Sequence, residues 1–406
     1  MAVLWLTHLI PFPPKGGVLQ RSYNLLYQVS KRNDVHVIGF YQKSLHPTEA
    51  SRLDAINALS EFCTVHSFYA INSDISSKAK YISAIKSLLS SSAYSLDWLR
   101  NRMLPIELNE IISKNDIDTV HFDTISLAIF LPYIADKSIK LVLNHHNIES
   151  NMMQRRAEQE KNLAKKVYYY LEGKRIEEYE KKVCHLFDLN ITCSELDSRR
   201  LLAINKGIQK ISSIPNGVDI EYFKPKGLDT EACSLIFAGG LSWYPNIDAI
   251  KFFLYKVWPT LSTISKDVTF TIVGRNPPAW LKDIANKDKR ITVTGFVDDV
   301  RPYIEKASLY VCPIKDGGGT KLKILDALAM HKTIIADKIS CEGIDVTEGR
   351  DIVFAQSPQE YIDQILYYLT SPDERRKIGY NARELIEKKY NYTKIGMKYN
   401  DLLGNL

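Results

Sequence analysis

Residues 310–330 read YVCPIKDGGGTKLKILDALAM, and the way this run folds decides the architecture. An apolar segment ends at Pro313, three glycines follow (Gly317, Gly318 and Gly319), and a helical pattern then places Leu322, Leu325 and Leu328 or Ala329 on one face. Strand, glycine turn, helix is the order that presents backbone N–H groups and the positive end of a helix dipole to an anion. Lys321 and Lys323 fall in the first turn of that helix, where positive charge opposes the dipole. A bound anion accounts for them; the plain alternative is a solvent-facing lysine pair. Asp326 has the chemistry to accept hydrogen bonds from sugar hydroxyls, or to stand as an exposed helix acid.

The same order opens the chain. After the apolar run AVLWLTHLIPF come Pro-Pro-Lys-Gly-Gly and an amphipathic segment with Val18, Leu19, Leu25, Leu26 and Val29 on its apolar positions. Outward from these two turns, short apolar runs alternate with helical patterns almost throughout. VLWLTH, DVHVIGF, DTVHF, KLVLNHH and DLNITCS read as strands in the first half, and SLIFAG, VTFTIVG, ITVTG, LYVCPI, TIIAD and DIVFA in the second. Helical stretches are expected over 18–32, 105–115 and about 150–187. Residues 70–104 fit the alternation poorly and read as an inserted helical region. Such alternation predicts an α/β protein built of βαβ units and parallel sheets. The Pro- and Gly-bearing stretch 213–232 divides the halves. The expected domains are 1–214, 215–390 and a last helix, 391–406, crossing back to the first. Two doubly wound domains joined in this way bind ligands at the C-terminal ends of their strands, across a cleft.

Composition narrows the function. At 406 residues with 45% hydrophobic and 25% charged residues, the chain reads as two ordinary globular domains. Its net charge of +6 suits anionic substrates or an anionic membrane surface and is too diffuse to imply nucleic acid. The cysteines (Cys63, Cys184, Cys193, Cys233, Cys312 and Cys341) are scattered, as expected of a reduced protein. No run reaches the ~20 apolar residues of a membrane span, and no signal-peptide pattern opens the chain. A cytoplasmic protein is expected.

With these residues in view, the chain resembles glycosyltransferase family 4, retaining enzymes of the GT-B fold that use nucleotide sugars. The resemblance rests on PPKGGVLQRSYNLL, NHHNIES, EYEKKVCHLFDLNITCSELDSRRL and PNGVDIEYF in the first half. In the second it rests on FAGGLSWYPNIDAI, IVGRNPP, VTGFVDDVRPYIEKASLYVCPIKDGGGTKLKILDALAM and CEGI. It implies two Rossmann-like doubly wound domains and transfer from a nucleoside diphosphate sugar to a carbohydrate or lipid-linked acceptor, with retention, in a setting such as surface-polysaccharide synthesis. By resemblance, Gly16 and Gly17 form the glycine loop facing the donor diphosphate, joined there by Gly318, Gly319, Thr320 and Lys321. His146 matches the histidine that borders the donor sugar and is the candidate catalytic residue, with His145 as the neighbouring alternative. Asp326 takes the place of the ribose-holding acid, and Phe296 and Val297 look like the segment that meets the base. Asp316, Gly317, Arg275 and Glu342 complete the implied nucleoside and sugar contacts.

The chain departs from the family pattern in two places. Gly318 stands where the first of two paired acids falls, and Ser242 and Asn246 stand where family members carry Arg and Lys. Lys323 or Arg275 is then the candidate for the missing phosphate-neutralising charge. Asp298 and Asp299 read as caps of a following helix rather than metal ligands, and no His, Cys or acid cluster has metal-ligand spacing. Metal-independent transfer with no cofactor beyond the co-substrate is therefore expected. Over 150–187, basic residues and Tyr168–Tyr170 suggest peripheral contact with an anionic membrane, against the plainer reading of a solvated helix with pairs such as Glu177–Lys181. Two other functions stay open: a catalytically degenerate nucleotide- or sugar-binding protein, and a GT-B nucleotide-sugar epimerase.

Overall fold

In β1 (Ala2–Thr7) the apolar run is buried without a break from Val3, and its side chains part to opposite faces of a sheet. Val3 and Trp5 enter one hydrophobic cluster while Leu4 and Leu6 enter another, so both faces are covered, as a parallel strand requires. The computed structural model describes residues 1–71, 93–317 and 319–406. The chain divides into two units, residues Met1–Pro215 with Tyr392–Leu406, and residues Asn216–Asn391.

The first unit holds β1, β2 (Asp34–Tyr41), β3 (Thr64–Ala70), β4 (Thr119–Phe122), β5 (Lys140–Asn144), β6 (Leu189–Thr192) and β7 (Ile211–Ser213). They lie in the order β3-β2-β1-β4-β5-β6-β7, and all neighbours are parallel. The second unit holds β8 (Ser234–Ala238), β9 (Thr269–Val273), β10 (Ile291–Gly295), β11 (Leu309–Cys312), β12 (Ile334–Ala336) and β13 (Val353–Phe354). Its order, β10-β9-β8-β11-β12-β13, repeats the same winding, again with every pair parallel. The doubly wound α/β expectation holds in each unit. Strand order reverses between β1 and β4 and between β8 and β11, the switch points where such sheets receive ligands.

Some elements differ from the sequence reading. β3 and β7 are additional strands, and the helix Glu49–Ser60 was not anticipated because it buries only Ala55 and Leu59 and so shows almost no periodicity. The expected long helix is two helices, Glu149–Gln159 and Leu163–Val183. Asn162 caps the second by accepting the Lys165 N–H at 3.1 Å, and that cap stops the two from running together. Of the region 70–104, residues 72–92 lie outside the described residues, and Tyr94–Asp97 forms a short helix. The C-terminal helix Tyr392–Gly404 packs on the helix Gly17–Ser30, where Asn400 donates to the Gln28 carbonyl at 2.9 Å. The six cysteines are all free thiols.

Candidate functional site

In the first unit, polar side chains collect where the central strands end. His8 follows β1, Asp123 follows β4, and Asn144, His145 and His146 end or follow β5. Asp123 is wholly buried and is the hub of the group. Its Oδ2 accepts from Ser22 Oγ, its Oδ1 accepts from Asn144 Nδ2 at 2.9 Å, and His146 Nε2 stands 3.4 Å from that same Oδ1. Asn144 in turn takes a hydrogen bond from the buried Arg21 guanidinium at 2.9 Å, whose other arm donates to the Ile214 carbonyl. Burial alone would raise the Asp123 pKa, but the charge and hydrogen bond of His146, with His121 and His8, hold it well below the ordinary value.

The neighbouring histidines divide by environment. Burial, reinforced by the His146 charge, pushes His8 down to about 4, and burial pushes His145 down to about 4 and His121 to about 3. His121 stacks on Trp5 and bonds Tyr399, which makes it a core residue. His145 bonds Asn190 inside the sheet at 3.1 Å and is buried. The His146 side chain lies beside the Asp123 carboxylate and is only 8% exposed.

His8, Asp123 and His146 offer ligand atoms that all lie within 4.8 Å of one another, a grouping able to hold a metal ion. Their distance in the chain hid it, so the sequence inference from absent metal-ligand spacing does not carry over to space. The Asp123 oxygens already serve Ser22 and Asn144, and the same geometry works as a carboxylate orienting an imidazole. Gly16 and Gly17 are both exposed, at the start of the helix Gly17–Ser30 that carries Arg21 and Ser22. Gly16 adopts φ 112°, a backbone that a side chain would strain.

In the second unit the predicted residues also gather at strand ends. Gly239 and Gly240 follow β8, Arg275 follows β9, Phe296 and Val297 follow β10, residues 313–321 follow β11, and Glu342 comes after β12. The glycine turn after β11 leads into the helix Leu322–Ala329, with Gly317 at φ 100°. Asp316 accepts from the Tyr244 hydroxyl at 2.9 Å and from the Gly317 N–H at 2.6 Å, tying the turn to the helix Tyr244–Phe252. Lys321 sits at the N-cap and donates from Nζ to the Gly317 and Gly319 carbonyls at 2.5 and 3.1 Å. Thr320 Oγ1 is buried with no hydrogen-bond partner among the described residues. Asp326 lies on the helix one turn on and is partly buried.

Several side chains stay at the surface. Arg275 and Phe296 are exposed, and Val297 and Glu342 are partly buried. Gly318 lies outside the described residues. Asp299 accepts the Arg301 N–H at 2.9 Å and pairs with its guanidinium just ahead of the helix Arg301–Lys306, whose N-cap is Val300 rather than the expected acid. On the helix Leu163–Val183, Leu163, Val167 and Tyr170 are exposed by 78%, 56% and 53%, at helical spacing on an uncovered face. No helix among the described residues is long and apolar enough to cross a membrane. Sequence reasoning missed Asp123, Ser22, Asn144 and Arg21; the only signal for Asp123 was a carboxylate just past a strand at the switch point.

Residues 15–222 match the family profile described as Glycosyltransferase Family 4, and residues 232–371 match that of Glycosyl transferases group 1. A curated relative, the uncharacterized 44.6 kDa protein in the cps region of Klebsiella pneumoniae, is 25% identical over 264 residues, spanning 63% of this chain and 66% of that protein. Among solved structures, HepE of Anabaena in complex with UDP superposes with a TM-score of 0.68 at 15% identity, over the whole of both chains. Sucrose-phosphate synthase of Thermosynechococcus elongatus gives 0.71 at 14% identity, over 100% of this chain and 98% of that one.

Proposed function

The chain belongs to glycosyltransferase family 4, and from that premise we propose that it moves a sugar from a nucleoside diphosphate sugar to a carbohydrate or lipid-linked acceptor, with retained anomeric configuration and without a metal. One observation carries the reading: the glycine turn after β11, headed by Lys321, at the switch point of the second sheet. In transfer, the bond between the anomeric carbon and the phosphate oxygen breaks and the diphosphate leaves with the electron pair. The acceptor hydroxyl forms the new bond, and its proton passes to the departing diphosphate. Charge grows on the leaving group, so fixed donors there lower the barrier most. Lys321, the turn amides and the helix N-terminus serve that charge; Asp326 serves the ribose; Phe296 and Val297 serve the base. In the first unit, His146, held by Asp123, serves the sugar hydroxyls. The cps-region relative supports a polysaccharide pathway, and the UDP complex of HepE makes a uridine donor the first to try.

We also place the exposed Leu163–Val167–Tyr170 stripe, with Lys165, Lys166 and Lys174 beside it, against an anionic lipid surface. One assay tests both statements: release of nucleoside diphosphate from a panel of nucleotide sugars, in excess EDTA, with lipid-linked acceptors in anionic or neutral vesicles. One donor is expected to turn over only when acceptor is present, and faster on anionic vesicles. Turnover with no acceptor dependence favours an epimerase, and binding without turnover favours a degenerate binding protein. Equal rates on both vesicles retire the lipid contact.

A further inference from the structure

Lys323 is one turn position past Lys321, on the helix side rather than in the glycine turn. Its ammonium does not point to bulk solvent. Nζ donates to Asn246 Oδ1 at 2.5 Å and stands 4.7 Å from the centre of the Phe237 ring. Asn246 is buried and is itself fixed by donating from Nδ2 to the Gly240 carbonyl at 2.8 Å. The chain gives way to this cation at Gly239, where a Cβ would lie 2.4 Å from Lys323 Nζ and 2.9 Å from Asn246 Nδ2. Tyr310 holds the end of β8 in place by exchanging hydrogen bonds with the Ala238 N–H and carbonyl at 3.2 and 3.0 Å.

A lysine ammonium has three donors, and this one meets a single neutral acceptor and an aromatic face. Among the described residues no carboxylate lies within ion-pairing distance of it. Withdrawing a cation from water without an anion is unfavourable, and such arrangements persist where an anion completes them. Burial correspondingly pushes the Lys323 pKa down to about 8, with Lys321 lowering it further and Cys312 and Asp326 opposing. The exposed Ser242 and buried Asn246 leave the β8 loop itself without a cationic side chain over residues 239–246.

We propose that Lys323 supplies a second cation to the donor diphosphate, delivered from the helix to the Gly239–Asn246 loop and aimed there by Asn246. The proposal rests on the donor-binding reading above. Arg275, the other candidate, accepts the Leu241 N–H on its carbonyl at 3.1 Å and has an exposed side chain, whereas Lys323 is the cation held at the loop.

The test is calorimetric titration with uridine, UMP and UDP, and with the guanosine and adenosine series, on the wild type and on Lys323→Met. The wild type is expected to bind one series, with the diphosphate at least about 10-fold tighter than the monophosphate. Lys323→Met is expected to weaken the diphosphate by about 10- to 100-fold, the range for losing a charge-assisted hydrogen bond, and the nucleoside by less than about 3-fold. A variant that keeps the wild-type diphosphate preference overturns the assignment to Lys323 and leaves donor binding standing. A wild type that binds no nucleotide overturns the donor reading, and this proposal with it. If the variant fails to fold, pH gives the answer on the wild type. The groups facing Lys323 are Cys312 on β11, Lys321 and Asp326 at the start of its own helix, and the neutral Asn246 and Phe237; burial pushes the Cys312 thiol up, away from this range. The ratio of diphosphate to nucleoside affinity is expected to fall between pH 7 and 9, and a flat ratio overturns the proposal.

Discussion

Asp123→Ala is expected to cost about 3–5 kcal/mol of unfolding free energy and to lower transfer activity by at least about 100-fold at a temperature where the variant is still folded. The carboxylate is fully buried and takes hydrogen bonds from Ser22 and Asn144 while facing His146. Removing it leaves three donors aimed at an empty space, and Asn144 loses its anchor while still holding Arg21. The activity loss is separate in origin: without Asp123 the His146 ring loses the carboxylate beside its Nε2 and keeps only weaker contacts such as the edge of the His8 ring. Asp123→Asn restores volume and divides the two effects, recovering part of the stability and little of the activity. Denaturant melts and initial rates read them out. The melts belong near pH 7.5, because acid weakens the wild type itself. His8 and His145 have folded pKa values of about 4 and His121 about 3, below the unfolded value of 6.5. The unfolded chain therefore takes up protons first, and stability falls as pH drops from 6.5 toward 4. Asp123, whose pKa is depressed, adds its own loss only as pH falls through the ordinary carboxylate range.

Lys321→Ala is expected to reduce kcat/KM by about 10²–10³-fold, the scale for removing one preorganised stabiliser of developing charge. The side chain is partly exposed at a helix N-cap and donates to carbonyls of the glycine turn rather than filling the core, so the melting temperature should move little. The loss should fall on kcat more than on donor affinity, because negative charge on the diphosphate increases as the bond breaks. Lys321→Arg keeps the charge and should recover part of the rate. A Lys321→Ala enzyme within about 3-fold of wild type would leave the lysine as a brace for the glycine turn, through its bonds to the Gly317 and Gly319 carbonyls.

The two sheets were legible because parallel strands buried on both faces leave continuous apolar runs, as in Val3–Leu6 or Leu309–Cys312. Thr64–Ala70 was missed because none of its residues is fully buried, and the helix Glu49–Ser60 because its inner face is only two residues wide. The turn after β11 declared itself through its glycines. The Asp123 hub did not, since its partners come from a helix and the ends of separate strands, and only the winding order brings them together. Lys323 was visible as a charge in the wrong place for a dipole, yet its direction depends on the short β8 loop and on Gly239, which sequence periodicity does not address.

The central claim is that the second unit holds a nucleoside diphosphate, and a thermal-shift panel of UDP, GDP, ADP, CMP and dTDP tests it most directly. A ligand at a hundredfold its Kd adds about 2.7 kcal/mol of apparent stability, a shift of several degrees. The account predicts one clear diphosphate, with a smaller shift from its nucleoside. A melting curve unmoved by every nucleotide, at millimolar concentration, would contradict it.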